Sequence, residues 1–120
     1  THQGKPTQDK RIPDSVIRVD RHRGSIGQDI DHPAVFPIGL PRFIMESYSV
    51  AGDVVYEPFN GSGTSILAAE QCGRKCRSVE LSPEYVDVAI KRFKQHYPDV
   101  PVLLSGTGQT FEEVTKEREQ

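Results

Sequence analysis

The spacing of apolar residues changes several times along the chain, and each change marks an element. Residues 1 to 31 are rich in Lys, Arg, Asp, Gln and Gly, and only Ser15 to Val19 alternates as an edge strand would. This stretch is expected to be a connecting arm, partly disordered, that leaves 32–120 as the folded part. Beyond Pro33, residues Leu40, Phe43, Ile44, Ser47 and Tyr48 fall at i, i+3, i+4, i+7 and i+8, the one-face spacing of an amphipathic helix. Pro41 suits its first turn, where a missing N–H costs little. Gly52 and Asp53 then turn the chain into Val54, Val55 and Tyr56, a short strand expected to be central and buried.

Glu57 to Thr64 reads as a loop containing Gly61 and Gly63, and Thr64 to Gln71 as a helix stopped by Gly73. Lys75 to Glu80 is a second strand. Ser82 is placed to cap a helix with Pro83 at its first position, and Tyr85, Val88, Ala89, Arg92 and Phe93 repeat at helical spacing, with Arg92 expected to bury only its stem. Pro98 marks the end of that helix, Val100 to Leu104 has the pattern of a third strand, and Phe111 to Arg118 that of a short charged helix. The order helix, strand, helix, strand, helix, strand argues for an α/β fold with parallel strands joined by right-handed crossovers. Three parallel strands are few for a sheet that normally has both faces covered, so something else is expected to complete it.

With 120 residues there is room for one small domain, which buries roughly two-thirds of the surface of its unfolded chain. Hydrophobic residues at 35% and charged residues at 27% predict a modest core with loose ends. With a formal net charge of -2, nothing in the total marks a protein that holds nucleic acid by bulk electrostatics. Any basic surface is local: Arg18, Arg21, His22 and Arg23 cluster, but Asp14 and Asp20 are interleaved, so the segment is either solvated or phosphate-contacting. Cys72 and Cys76 have no further cysteine and no nearby histidine, so they cannot supply four zinc ligands, and no metal is expected. The thiols fit a reducing, cytoplasmic setting. No apolar run reaches the about 20 residues that cross a bilayer, and no signal-type apolar segment opens the chain, so no membrane partner is expected.

The strongest chemical signal is Glu57, Pro58, Phe59, Asn60, Gly61, Ser62, Gly63 and Thr64, set between a strand and a helix. Glycines there let backbone approach a ligand, and free N–H groups at the helix start face the same crevice. A P-loop would need a lysine that this loop lacks, and a dinucleotide fingerprint would need a third glycine where Ile66 stands. A plain tight turn is the remaining bland reading. Glu80 closes the second strand beside the loop, where a carboxylate can accept hydrogen bonds from both hydroxyls of a ribose. A strand-end glutamate alone is more often a cap or surface residue; the adjacent glycine loop tips the reading toward an adenosine cofactor.

The run Glu57-Pro58-Phe59-Asn60-Gly61-Ser62-Gly63-Thr64-Ser65 resembles the cofactor motif of bacterial and phage DNA adenine-N6 and cytosine-N4 methyltransferases, usually Asp-Pro-Phe-x-Gly-Ser-Gly-Thr-Thr. Glu57 and Ser65 depart from that pattern but keep its polar chemistry. His32-Pro33-Ala34-Val35-Phe36-Pro37 is similar to the family's His-Pro-x-x-Lys-Pro motif, with Phe36 in place of the lysine that would meet the cofactor carboxylate. Gly73-Arg74, Val79-Glu80-Leu81 and Tyr85, Ala89, Arg92 resemble its later runs, and Ser105 to Val114 resembles the ends of family members. The resemblance covers about Ser15 to Arg118 and implies a partial Rossmann-like class I methyltransferase sheet that binds S-adenosyl-L-methionine. It implies cofactor contacts from His32, Pro33, Glu57, Pro58, Phe59, Asn60, Gly61, Ser62, Gly63, Thr64, Ser65, Glu80 and Leu81.

The same family positions its target amine with Asp, Asn or Ser followed by Pro-Pro and an aromatic residue. No Pro-Pro pair occurs in this chain, and no Pro-Cys pair supports the covalent route to cytosine C5. The motif order matches the C-terminal part of a permuted enzyme, so no catalytic residue is expected here. The implied partners are DNA, reached through a catalytic lobe in cis or in trans, and a second copy of the chain in a homodimer. Two other classes stay open: a cofactor-sensing or partner-docking module, and a fragment of a nicotinamide-dependent oxidoreductase.

Overall fold

The computed structural model describes residues 36–120; the expected arm 1–31, its Ser15 to Val19 strand and the His32-Pro33 pair lie outside the described residues. The elements run α1 (Gly39–Tyr48), β1 (Val54–Glu57), α2 (Thr64–Gln71), β2 (Lys75–Ser78), α3 (Pro83–His96) and α4 (Phe111–Glu119). β1 and β2 pair in parallel with Val54 opposite Lys75 and Glu57 opposite Ser78. The α/β alternation expected from the sequence is therefore present, with a two-stranded sheet among the described residues.

α2 sits at the centre and packs against α1, β2 and α3. Its sequence explains this: Leu67, Ala68 and Ala69 are almost completely buried, and the two alanines let neighbours approach closely. Ile38 and Met45 close the cluster from the α1 side, and Val55, Cys76 and Phe93 pack against it. Cys72 Sγ lies 4.0 Å from Met45 Sδ. Burial raises the Cys76 thiol above its ordinary pKa, with the nearby Glu57 adding to the shift.

α2 ends as the sequence suggests. Gly73 takes φ +73, its N–H reaches Glu70 O and the Arg74 N–H reaches Ala69 O at 2.8 Å, which together form a Schellman closure. Arg74 then turns back: its guanidinium donates to Cys72 O at 2.6 Å, Ser49 O at 2.8 Å and Ser49 Oγ at 3.0 Å. One side chain thus ties the C-terminal ends of α1 and α2 together.

Several expectations are corrected. The α1 stripe of Leu40, Phe43, Ile44, Ser47 and Tyr48 is not the buried face; Pro41 and Met45 turn inward while Tyr48 is 87% exposed. Strand β1 is not buried as expected, since Val54 and Tyr56 are exposed and only Val55 meets the core, and among the described residues it pairs with β2 alone. Both differences share one cause: the apolar stripe of α1 and the outer face of β1 have no covering layer among the described residues. β2 stops at Ser78, two residues earlier than expected. Ser82 makes no side-chain cap; its N–H donates instead to Glu80 Oε2 at 3.0 Å. The third strand, Val100 to Leu104, does not form. That segment makes an isolated antiparallel bridge between Leu103 and Thr110, with Leu104 N donating to Gln109 O and Phe111 N to Val102 O. α4 follows with a full capping box between Thr110 and Glu113.

Candidate functional site

Parallel pairing sends the loops after β1 and β2 off the same end of the sheet, so residues 57–63 and 79–82 become neighbours. The link is made first by backbone: Val79 N donates to Glu57 O and Asn60 N to Val79 O, both at 3.0 Å. Glu80 completes it by accepting from the Gly61 N–H through Oε1 at 2.8 Å, and from Ser82 through Oε2. The carboxylate expected to face a ligand thus stands against the glycine loop. Each oxygen of an ionised carboxylate can accept more than one hydrogen bond.

Glu57 and Ser65, the two departures from the family motif, are partners. Ser65 Oγ donates to Glu57 Oε2 at 2.8 Å, and Phe59 N donates to Glu57 Oε1 at 2.9 Å. The side chain of Glu57 is folded back onto its own loop and holds its entry.

Gly61 and Gly63 both have positive φ, +55 and +83, where a side chain is strained. Gly63 is also the N-cap of α2, and an added Cβ would stand 3.0 Å from Ala89 Cβ on α3. The glycine is needed twice, for its dihedral angles and for the close approach of α3. One turn further along α3, Arg92 is 3% exposed and donates from Nη1 to Thr64 Oγ1 at 2.7 Å, Ser62 Oγ at 3.1 Å and Ser62 O at 3.4 Å. The expectation that only its stem is buried is corrected: the charged head is inside. Burial lowers its pKa from the ordinary value.

The expected site residues divide into two sets. Ser62, Thr64 and Ser65 are buried, with their hydroxyls bonded to Arg92 and Glu57. Phe59 and Leu81 are exposed, at 86% and 97%, and Pro58 next to Phe59 in the chain is exposed as well. Asn60 Oδ1 is buried without a hydrogen-bond partner. Asn60 and Glu80 both line a groove of about 630 Å³ whose other walls include Ile66, Ile90, Phe93 and Val102. A groove lined by apolar side chains together with a few polar residues is the usual make-up of a small-molecule site. The sequence reading missed the buried head of Arg92; the signal available was Arg92 sharing a helical face with Ala89, opposite a glycine loop. Among the described residues no cluster of potential metal ligands occurs, and no helix is long and apolar enough to cross a membrane.

A family described as DNA methylase, the N6 and N4 methyltransferases, matches residues 3–91. The chain is 43% identical over 65 residues to the orphan methyltransferase M.BamHII of Bacillus amyloliquefaciens, covering 54% of this chain and 24% of that protein. It is 30% identical over 95 residues to the DNA adenine methyltransferase YhdJ of Escherichia coli K12, covering 78% and 32%. Among solved structures, a DNA modification methylase from Thermus thermophilus complexed with S-adenosyl-L-methionine matches at 40% identity and TM-score 0.52, over 54% of this chain and 27% of that one. The cytosine-N4-specific PvuII DNA methyltransferase matches at 30% identity and TM-score 0.57, over 81% and 33%. The chain spans about a quarter to a third of the length of these relatives. Its α/β arrangement is thus part of a Rossmann-like methyltransferase fold, and the chain belongs to the N6/N4 DNA methylase family.

Proposed function

We propose that this chain is the S-adenosylmethionine-binding lobe of a DNA amino-methyltransferase acting on adenine N6 or cytosine N4, and that 32–120 is the extent of that lobe. The observation that carries the reading is the Glu80 to Gly61 hydrogen bond, because it joins the strand-end carboxylate, which lines the groove, to the glycine loop. The residues present suit the cofactor. The unpartnered Asn60 Oδ1 and the carboxylate of Glu80 are acceptors, which suits the amino and hydroxyl donors of an adenosine. Phe59 and Leu81 offer apolar surface to a flat base. His32 and Pro33 join the site at the methionine end by the motif resemblance.

When bound, the cofactor supplies an electrophilic methyl group; the residues of this chain hold and orient it. Polarising the target amine falls to a Pro-Pro-aromatic segment that these 120 residues do not contain. The partner is accordingly a catalytic lobe, in cis or in trans, that brings the DNA. Replacing Glu80 with Ala is expected to weaken S-adenosylmethionine binding by roughly 10-fold to 150-fold, from about 1.5 to 3 kcal/mol for a charged hydrogen-bond acceptor. Calorimetry giving equal affinities for wild type and Glu80→Ala would sink the assignment.

The missing Pro-Pro pair favours a second reading, a module that binds the cofactor to sense it or to dock a partner. A radiolabelled-methyl assay on duplex DNA separates the two. The chain alone is expected to give no incorporation above a no-protein control. Activity restored by a separate chain carrying the Pro-Pro-aromatic motif supports the lobe, and incorporation by this chain alone refutes both readings.

A further inference from the structure

A buried cation stands under the glycine loop with no anion among the described residues to balance it. Arg92 is 3% exposed, its Nε has no hydrogen-bond partner, and the ion pairs of Arg42 with Glu46 and of Lys94 with Glu112 do not involve it. A position that only needed filling would be served by Leu or Met without desolvating a guanidinium. A position near the surface would let the head reach water. Instead the head is drawn inward to three oxygens of Ser62 and Thr64, the residues that bracket Gly63. Gly63 caps α2 from the left-handed region with no side chain of its own, and the missing Cβ leaves its backbone free to move to other basins. Ala89 touches the loop at Gly63 and Arg92 grips it on both sides, so α3 fixes what the glycine leaves loose.

We propose that Arg92 is the positioning residue of the cofactor loop: it sets residues 62 to 64 in their binding geometry before any ligand arrives. The part that concerns the cofactor rests on the S-adenosylmethionine reading above. Removing the order from the free loop makes binding bear the cost of restoring it, which lowers affinity even though the bound ligand touches the same atoms.

The test is amide hydrogen exchange of the ligand-free chain, with Arg92→Met, which keeps length and removes the donors, and Arg92→Lys, which keeps a cation able to reach Thr64. In Arg92→Met, exchange at Gly61, Gly63 and Leu67 is expected to quicken at least 10-fold while Lys75 in the sheet and Val114 in α4 keep wild-type rates. Arg92→Lys is expected to recover much of that protection, and S-adenosylmethionine affinity is expected to fall at least 10-fold in Arg92→Met and less in Arg92→Lys. Wild-type loop exchange in Arg92→Met overturns the proposal. So does an equal quickening at Lys75 and Val114, the mark of a merely structural role. If Arg92→Met fails to fold, Thr64→Val removes the shortest of the three bonds from the loop side and is judged by the same amides. A wild-type chain that does not bind S-adenosylmethionine overturns the cofactor reading, and the loop amides still decide the role of Arg92.

Discussion

Gly63 shows how much one residue can be asked to do. Its φ of +83 costs an L-residue on the order of 1–2 kcal/mol, and a Cβ there would also press on Ala89 at 3.0 Å. Both atoms at that contact sit on packed elements, so neither moves cheaply. Gly63→Ala is therefore expected to lower stability by about 2 kcal/mol or more and to weaken S-adenosylmethionine beyond what that loss explains. Denaturant melts and calorimetry on the same variant measure both. Unchanged values in both would make the loop an ordinary turn. The need for glycine here was legible in the sequence, since the motif lies between a strand and a helix. The second reason for it, contact with Ala89 26 positions along the chain, was not, because spacing along the sequence carries no information on which turn of a later helix meets the loop. The inward head of Arg92 escaped for the same reason: an amphipathic side chain at a half-buried helical position is normally read as a stem with a solvated tip.

At the scale of elements, the local signals were sufficient where the chain answers to itself. α2 runs from Thr64 to Gln71 and stops at Gly73, as its turn chemistry dictates, and the charged run after Thr110 forms a capped helix. They failed where the answer depends on a partner. Val100 to Leu104 has a strand's composition, yet Pro101 has no N–H to give and the groups of Val102 and Leu104 bond to residues 108, 109 and 111 instead of to β2. The stripe on α1 has helical periodicity, but which of two faces is buried depends on the layer present: Met45 packs with Leu67, Ala68 and Ala69 of α2, and Pro41 is buried as well. Arg74 belongs at this scale because it joins two helix ends. Arg74→Ala removes bonds to Ser49 and Cys72 and leaves those carbonyls short of a donor. A loss on the order of 2–3 kcal/mol is expected, with faster amide exchange at the end of α1. A variant with wild-type stability would show that water serves these carbonyls equally well.

At the scale of the whole chain, the described residues leave apolar faces without a covering layer. The outer face of the sheet presents Val54 and Tyr56 beside Lys75 and Arg77, the apolar stripe of α1 has no covering layer among the described residues, and the matched part of the chain spans only about a quarter to a third of the family relatives. Within the described residues the glycine loop and Glu80 come together beside the groove, so cofactor binding is the part of the proposed function to ask of this chain first. A nicotinamide dinucleotide is the competitor that a glycine loop and a strand-end glutamate would also admit. The direct measurement is a parallel calorimetric titration of the 120-residue chain with S-adenosyl-L-methionine and with NAD. Saturable heat from S-adenosyl-L-methionine at one site per chain, with none from NAD, is the expected result; saturable NAD binding with no response to S-adenosyl-L-methionine would contradict the account.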